Sequence, residues 1–238
     1  MNDQARAPLT LILGGARSGK SNYAEALAPR LGRRVLYVAT AEALDEEMRA
    51  RVAAHRARRP AGWMTLEVPL AVGAALEASP EVAGTDVILL DCLSLLVSNV
   101  LLSRGPETPE PDVETAMGWV RAEVDALLAA RERLGAHLVV VSNEVGLGVV
   151  PAHRSGRLFR DLLGEVNRSV ATACDEVHLV VAGQPWGIVY GMGVWGAKAM
   201  AALGWDPSGL TFTVVVHLGT VVGVLAFFWQ DWLQMLRA

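Results

Sequence analysis

Short apolar runs punctuate the first three quarters of the chain. They fall at residues 9–13 (LTLIL), 35–39 (VLYVA), 86–91 (DVILLD), 137–142 (HLVVVS) and 177–182 (VHLVVA). Each is rich in β-branched residues and shows little polar alternation, the pattern of a strand buried on both faces. Between the runs, apolar positions recur with helical spacing over residues 20–31, 44–58, about 69–78, 92–103, 113–134 and 155–174. Strands alternating with helices predict an α/β domain with a mostly parallel sheet between helical layers. The proline- and acid-rich stretch 104–112, RGPETPEPD, reads as a surface loop whose last part caps the next helix. No internal repeat is visible.

After Gly183 the pattern changes. Residues 184–208 are rich in glycine and tryptophan, and no charged residue appears between Asp206 and Asp231. The run 210–229, LTFTVVVHLGTVVGVLAFFW, has the length of a membrane span. His217 and two glycines weaken that pattern, and an apolar stripe packed on the domain is the competing reading. The expected division is an α/β domain over 1–183 and an apolar tail over 184–238.

The length of 238 residues suits one domain with an appendage, and 52% hydrophobic residues suffice for a sizeable core. A net charge of −4 argues against a general nucleic-acid binder. The two cysteines, Cys92 and Cys174, have no paired spacing, which suits a reducing cytosol and excludes a cysteine-built zinc site. The N-terminus carries no apolar signal segment. Lysine is nearly absent: Lys20 and Lys198 are the only two, so a lysine inside a glycine-rich stretch stands out.

That stretch is GGARSGKS, comprising Gly14, Gly15, Ala16, Arg17, Ser18, Gly19, Lys20 and Ser21. It matches G-x-x-x-x-G-K-[ST], with a predicted strand before it and a predicted helix after it. Such a loop turns backbone N–H groups onto phosphate oxygens, and the following helix adds the positive end of its dipole. Lys20 would reach the outer phosphates and the Ser21 hydroxyl would ligate Mg²⁺. Asp91 ends the run VILLD, at the same sheet edge, and could hold Mg²⁺ directly or through water. A plain helix cap is its alternative role.

The helical segment 45–59 places Met48, Val52 and His55 on one face and carries five arginines. On these residues alone, His55 reads as a packed core histidine and the arginines as a solvated face. Near a phosphate loop, the same set can bind phosphates, and an imidazole can attack one. The stretch 142–160 leaves a strand end with Asn143 and Glu144 and enters a helix with Arg154 and Arg157. It reads either as a substrate loop or as an ordinary connection.

Four segments in order carry a family resemblance: GGARSGKSNYAEALA, VLYVATAEALDEEMRARVAAHRARRPAGW, VILLDCLSLLVSN, and SNEVGLGVVPAHRSGRLFRDLLGEVNRSVATACDEVHLVVAG. Over roughly residues 9–183 the chain resembles the bifunctional adenosylcobinamide kinase / adenosylcobinamide-phosphate guanylyltransferase family of cobalamin biosynthesis. The resemblance implies a P-loop NTPase domain of recombinase-like type. It implies phosphorylation of adenosylcobinamide by ATP or GTP, then transfer of GMP from GTP through a guanylyl-histidine. His55 is the histidine that matches the family's nucleophile. Further implied are nucleotide contacts at Thr40, Arg56, Arg59, Glu67 and Asp91, a Mg²⁺ ion, a cytoplasmic location and a homotrimer. Arginines beside His55 would disfavour its protonation and stabilise charge on the α-phosphate.

Two other readings compete. A kinase-only enzyme would keep His55 as a structural residue. A nucleotide-switch module would do no corrinoid chemistry, but the short chain, the missing basic face and the histidine–arginine helix argue against it. The tail faintly resembles an internal stretch of the undecaprenyl-diphosphate phosphatase family. It lacks that family's acidic and serine-rich motifs, so no phosphatase activity is implied, and remnant, membrane anchor or oligomer contact stay open for it.

Overall fold

The computed structural model describes residues 6–42, 46–104 and 111–190. The strands are β1 (Leu9–Gly14), β2 (Val35–Ala39), β3 (Met64–Glu67), β4 (Val87–Asp91), β5 (His137–Asn143), β6 (Glu176–Val181) and β7 (Gln184–Tyr190). The helices are α1 (Lys20–Leu31), α2 (Glu46–Arg58), α3 (Val72–Ala78), α4 (Leu93–Ser103), α5 (Val113–Leu134) and α6 (Arg154–Ala173). The strands join in the order β3-β2-β4-β5-β1-β6-β7, and every pairing is parallel except β6 with β7.

The apolar runs are buried on both faces because alternate residues supply two cores. Leu9, Leu11, Leu36, Val38, Ile88, Leu90, Leu138 and Val140 join the inward faces of α3, α4, α5 and α6. Ile12, Val35, Tyr37, Val87, Leu89, Val139 and Val141 face the other way, onto Ala24 and Ala28 of α1. The result is a three-layer α/β domain with its strand C-termini along one edge. Helix α5 starts where the acid-rich loop ends: the Asp112 carboxylate accepts from the Thr115 N–H at 2.7 Å.

Two strands were not anticipated. β3 is only four residues long, lies at the sheet edge and alternates half-buried with exposed positions, so its hydrophobic signal is slight. β7 occupies residues 184–190, assigned above to the tail. It pairs antiparallel with β6 through a turn at Ala182 and Gly183, both at positive φ (51° and 80°). The sheet therefore runs past the expected boundary at 183, and the compact unit that contains it spans Met1–Gly191. A second unit, Met192–Ala238, lies outside the described residues, as does the 210–229 segment. Among the described residues, no helix is long and apolar enough to cross a membrane.

At the opposite end of the sheet, His137 opens β5 and its Nε2 lies 2.9 Å from Thr10 Oγ1. Burial pushes this imidazole below its ordinary 6.5; Asp175 and Glu176 pull it up and Arg131 pushes it further down. The unfolded chain therefore takes up this proton at a higher pH than the folded one. The contribution of neutral His137 is complete above pH 6.5 and is lost as pH falls towards the folded value. We expect urea-unfolding stability to decline as pH drops below about 6.5. His137→Gln, which keeps a polar partner for Thr10, should flatten that decline.

Candidate active site

The glycine-rich stretch forms a tight loop from β1 into α1. Gly14 ends β1, Gly19 sits at the helix cap with φ 89°, and Lys20 and Ser21 open the helix. The loop closes on itself through the Ser18 N–H, which donates to the Gly15 carbonyl at 3.2 Å, and the Lys20 amine, which donates to the same oxygen at 3.2 Å. Lys20 is 9% exposed. Burial lowers its pKa from the ordinary 10.5, while the neighbouring Cys92 and Asp91 pull the other way. An ammonium held in this way gains when phosphate oxygens replace its lone carbonyl partner.

The loop is clasped from outside by the β6–β7 turn. The Gly183 N–H donates to the Ser18 carbonyl at 2.7 Å. A Cβ on Gly19 would lie 2.9 Å from the Gly183 Cα, and one on Gly14 would lie 2.6 Å from the Val180 carbonyl oxygen. Backbone packs on backbone here, leaving no room for a side chain.

A cavity of about 510 Å³ opens beside this loop. Residues Ala16 to Asn22 form one wall. His55 and Arg59 from the α2 side, Glu67 at the end of β3, Asp91 at the end of β4 and Asn143 at the end of β5 line the rest. Distant segments meet here because parallel strands deliver their C-terminal residues to one edge. His55 Nδ1 lies 4.0 Å from Asp91 Oδ2, within ion-pair range but beyond a hydrogen bond.

Tyr37, read in the sequence only as part of an apolar strand, organises this wall. Its hydroxyl donates to Asp91 Oδ2 at 2.7 Å, and the Arg59 guanidinium lies over its ring at 3.7 Å. Burial and the adjacent Asp91 carboxylate push the phenol far above its ordinary range, so it stays a donor. Arg59 also reaches Thr65 Oγ1 at 3.4 Å, while its Nε is buried without a partner among the described residues.

Two residues implied as nucleotide contacts are placed differently. Thr40 is fully buried and does not line the cavity. Its hydroxyl donates to the Cys92 carbonyl at 2.8 Å and accepts from the Cys92 N–H at 2.9 Å, and its carbonyl accepts from Asn99 Nδ2 at 2.8 Å. It braces the segment after Asp91. Arg56 faces a neighbouring cavity with Arg59, Trp63, Thr65 and Glu67, and its guanidinium forks onto both oxygens of Glu67. In the 142–160 stretch, Arg157 is used locally, donating to the Pro151 and Ala152 carbonyls at 3.1 and 2.6 Å. The side chain of Arg51 lies outside the described residues.

A buried parallel strand, a glycine loop with lysine and serine at a helix start, and an aspartate on a nearby strand end together define a P-loop nucleotide-binding domain. The family model for "Cobinamide kinase / cobinamide phosphate guanyltransferase" matches residues 10–188. The chain belongs to this family. It is 44% identical over 181 residues to the bifunctional adenosylcobalamin biosynthesis protein CobU of Salmonella typhimurium, covering 74% of this chain and 96% of the relative. It is 46% identical over 175 residues to the corresponding CobP of Pseudomonas aeruginosa, covering 74% and 94%. Separately, 35 residues match the undecaprenyl-diphosphatase of Desulforudis audaxviator at 51% identity, 15% of this chain and 13% of that protein.

Two outcomes follow from this geometry. Gly183→Ala places a side chain at φ 80°, a strain of about 1–2 kcal/mol, in the residue that pins Ser18. Nucleotide affinity, read by titration calorimetry, should fall about 5-fold. Gly164→Ala, in open space on α6, should leave affinity unchanged. Tyr37→Phe keeps the ring under Arg59 but frees Asp91, and Mg²⁺–nucleotide binding in the same assay should weaken about tenfold.

Proposed function

We propose that this chain phosphorylates adenosylcobinamide with ATP or GTP and then transfers GMP from GTP to the product through His55. The observation that carries this reading is the shared cavity: Lys20 and Ser21 of the phosphate loop and His55 with Arg59 line one space. A triphosphate seated there can touch both sets.

In the first step, the substrate hydroxyl attacks the γ-phosphorus and the nucleoside diphosphate leaves. Loop amides and Lys20 hold the phosphates and offset their charge. In the second, an imidazole nitrogen of His55 attacks the α-phosphorus of GTP, forming a P–N bond as pyrophosphate departs. The cobinamide phosphate then attacks the same phosphorus and releases His55. Asp91 Oδ2 lies 4.0 Å from Nδ1 of the ring. Arg59, a cation in the same cavity as His55, would offset charge at the α-phosphate.

Ser21 and Asp91 supply a hydroxyl and a carboxylate in the same cavity, a donor set that fits Mg²⁺ carried in by a nucleotide. The ion would neutralise phosphate charge when bound. Among the described residues, no group of three or more His, Cys, Asp or Glu could hold a metal without substrate oxygens. We place the enzyme in the cytoplasm, a reading supported by two free, buried cysteines. The homotrimer is supported by family resemblance, and membrane association of 210–229 by its uncharged composition.

Incubation with Mg²⁺ and α-labelled GTP should give acid-labile, base-stable label on the wild-type protein. His55→Ala should abolish the label while cobinamide phosphorylation by ATP persists. A wild type that phosphorylates cobinamide yet takes no label would reduce the enzyme to a kinase.

A further inference from the structure

Resting on the kinase half of that function, we infer that Asn143 is a further catalytic residue, one that holds the incoming hydroxyl of the phosphoryl acceptor. Strand β5 lies between β1, which carries the phosphate loop, and β4, which carries Asp91. The register sets Asn143 opposite Gly14, the first residue of the loop. Asp91 stands opposite Val141, so Asn143 lies two residues further towards the open edge. Asn143 is one of the residues lining the cavity that contains Lys20 and Asp91.

The backbone around Asn143 is fully engaged. Asn167 Nδ2 donates to its carbonyl at 3.0 Å, and Asn167 Oδ1 in turn accepts from the Ser142 hydroxyl at 2.7 Å. The following N–H, of Glu144, donates to the Gly14 carbonyl at 3.1 Å. The side-chain Oδ1, by contrast, is buried and has no hydrogen-bond partner among the described residues. A buried acceptor left empty is costly, and such atoms concentrate where a ligand completes the bonding. The ligand this atom lacks is a donor.

Phosphate oxygens are acceptors and cannot fill that need; an alcohol O–H can. The carboxamide also carries two N–H donors and no charge, so it can stand beside a phosphate without the repulsion of a carboxylate. With its O–H directed at Oδ1, the alcohol oxygen is held with a lone pair free for the γ-phosphorus. The new P–O bond forms as the bond from γ-phosphorus to the bridging oxygen breaks. That electron pair leaves with the nucleoside diphosphate, and the alcohol proton passes to solvent water. Asn143 keeps its own protons throughout. Guanylylation of His55 involves no incoming hydroxyl, so it should not need Asn143.

The test compares wild type, Asn143→Ala and Asn143→Asp in three readings: cobinamide phosphorylation, nucleotide binding, and covalent labelling from α-labelled GTP. Truncation spares the backbone carbonyl used by Asn167, so the Asn167 bond is retained. Asn143→Ala should lower kcat for phosphorylation about 100-fold, with nucleotide affinity and His55 labelling at wild-type levels. Asn143→Asp retains an acceptor, so at saturating nucleotide it should recover part of that kcat, with a raised nucleotide KM. The assignment is overturned if Asn143→Ala phosphorylates at the wild-type rate, if phosphorylation, binding and labelling fall together, or if Asp is no better than Ala at saturation. A wild type that binds nucleotide but phosphorylates no cobinamide would instead overturn the underlying function, and this assignment with it.

Discussion

The site depends on backbone packed against backbone around the phosphate loop. Gly14 presses on the Val180 carbonyl and Gly19 on Gly183, at separations that exclude any Cβ. Apart from the Ser18–Gly15 bond, N–H groups turned towards a ligand cannot also close the loop on itself. Its shape must therefore be imposed from outside, and the β6–β7 turn imposes it through the Gly183–Ser18 hydrogen bond. The antiparallel strand at the end of an otherwise parallel sheet has a definite use: it brings a reversed turn to the edge where the phosphates would lie.

Around that fixed loop, the cavity is built in two tiers. Asp91, His55, Arg59 and the buried Tyr37 line the open space, while Thr40 lies behind them. Tyr37 ties two charges of opposite sign to one rigid ring: its hydroxyl holds Asp91 and its face carries Arg59. Thr40 secures the chain just after Asp91 by bonding both backbone groups of Cys92. Loose arginine and aspartate side chains would pair with each other or with solvent; these are held so that a ligand can meet both. On the proposed function, one set of phosphates would serve two chemistries, with loop and lysine at the γ end and histidine and arginine at the α end.

Much of this was legible in the chain itself. The five strands with unbroken apolar runs fall within a residue of their observed bounds, because burial on both faces leaves few polar positions to blur them. Of the residues singled out, Ala16 to Ser21 of the loop, His55, Arg59, Glu67 and Asp91 line one cavity, while Gly14 and Gly15 lie outside its lining. The failures have physical reasons. β3 is short and half exposed, and β7 carries glycine and proline, which read as loop. Tyr37 was hidden because a buried strand uses aromatic and aliphatic residues alike; only its hydroxyl marks it, and only the position of Asp91 gives the hydroxyl a purpose. Thr40 and Arg56, implied as nucleotide contacts, bond to Cys92 and Glu67 in this structure, and such partners are not written in a residue's position along the chain.

The scarcity of lysine has a consequence for chemical modification. Within the compact unit Met1–Gly191, Lys20 is the only lysine, and it is buried in the glycine-rich loop beside the cavity. Acetylation, carbamylation or any amine-directed conjugation of a side chain in that unit has no neutral surface target. It either fails at a buried amine or removes the charge that the proposed function assigns to holding the nucleotide. A domain composed in this way cannot be tuned gradually through its lysines: modification there is all or nothing, and on the proposed function a bound nucleotide would be its own protecting group.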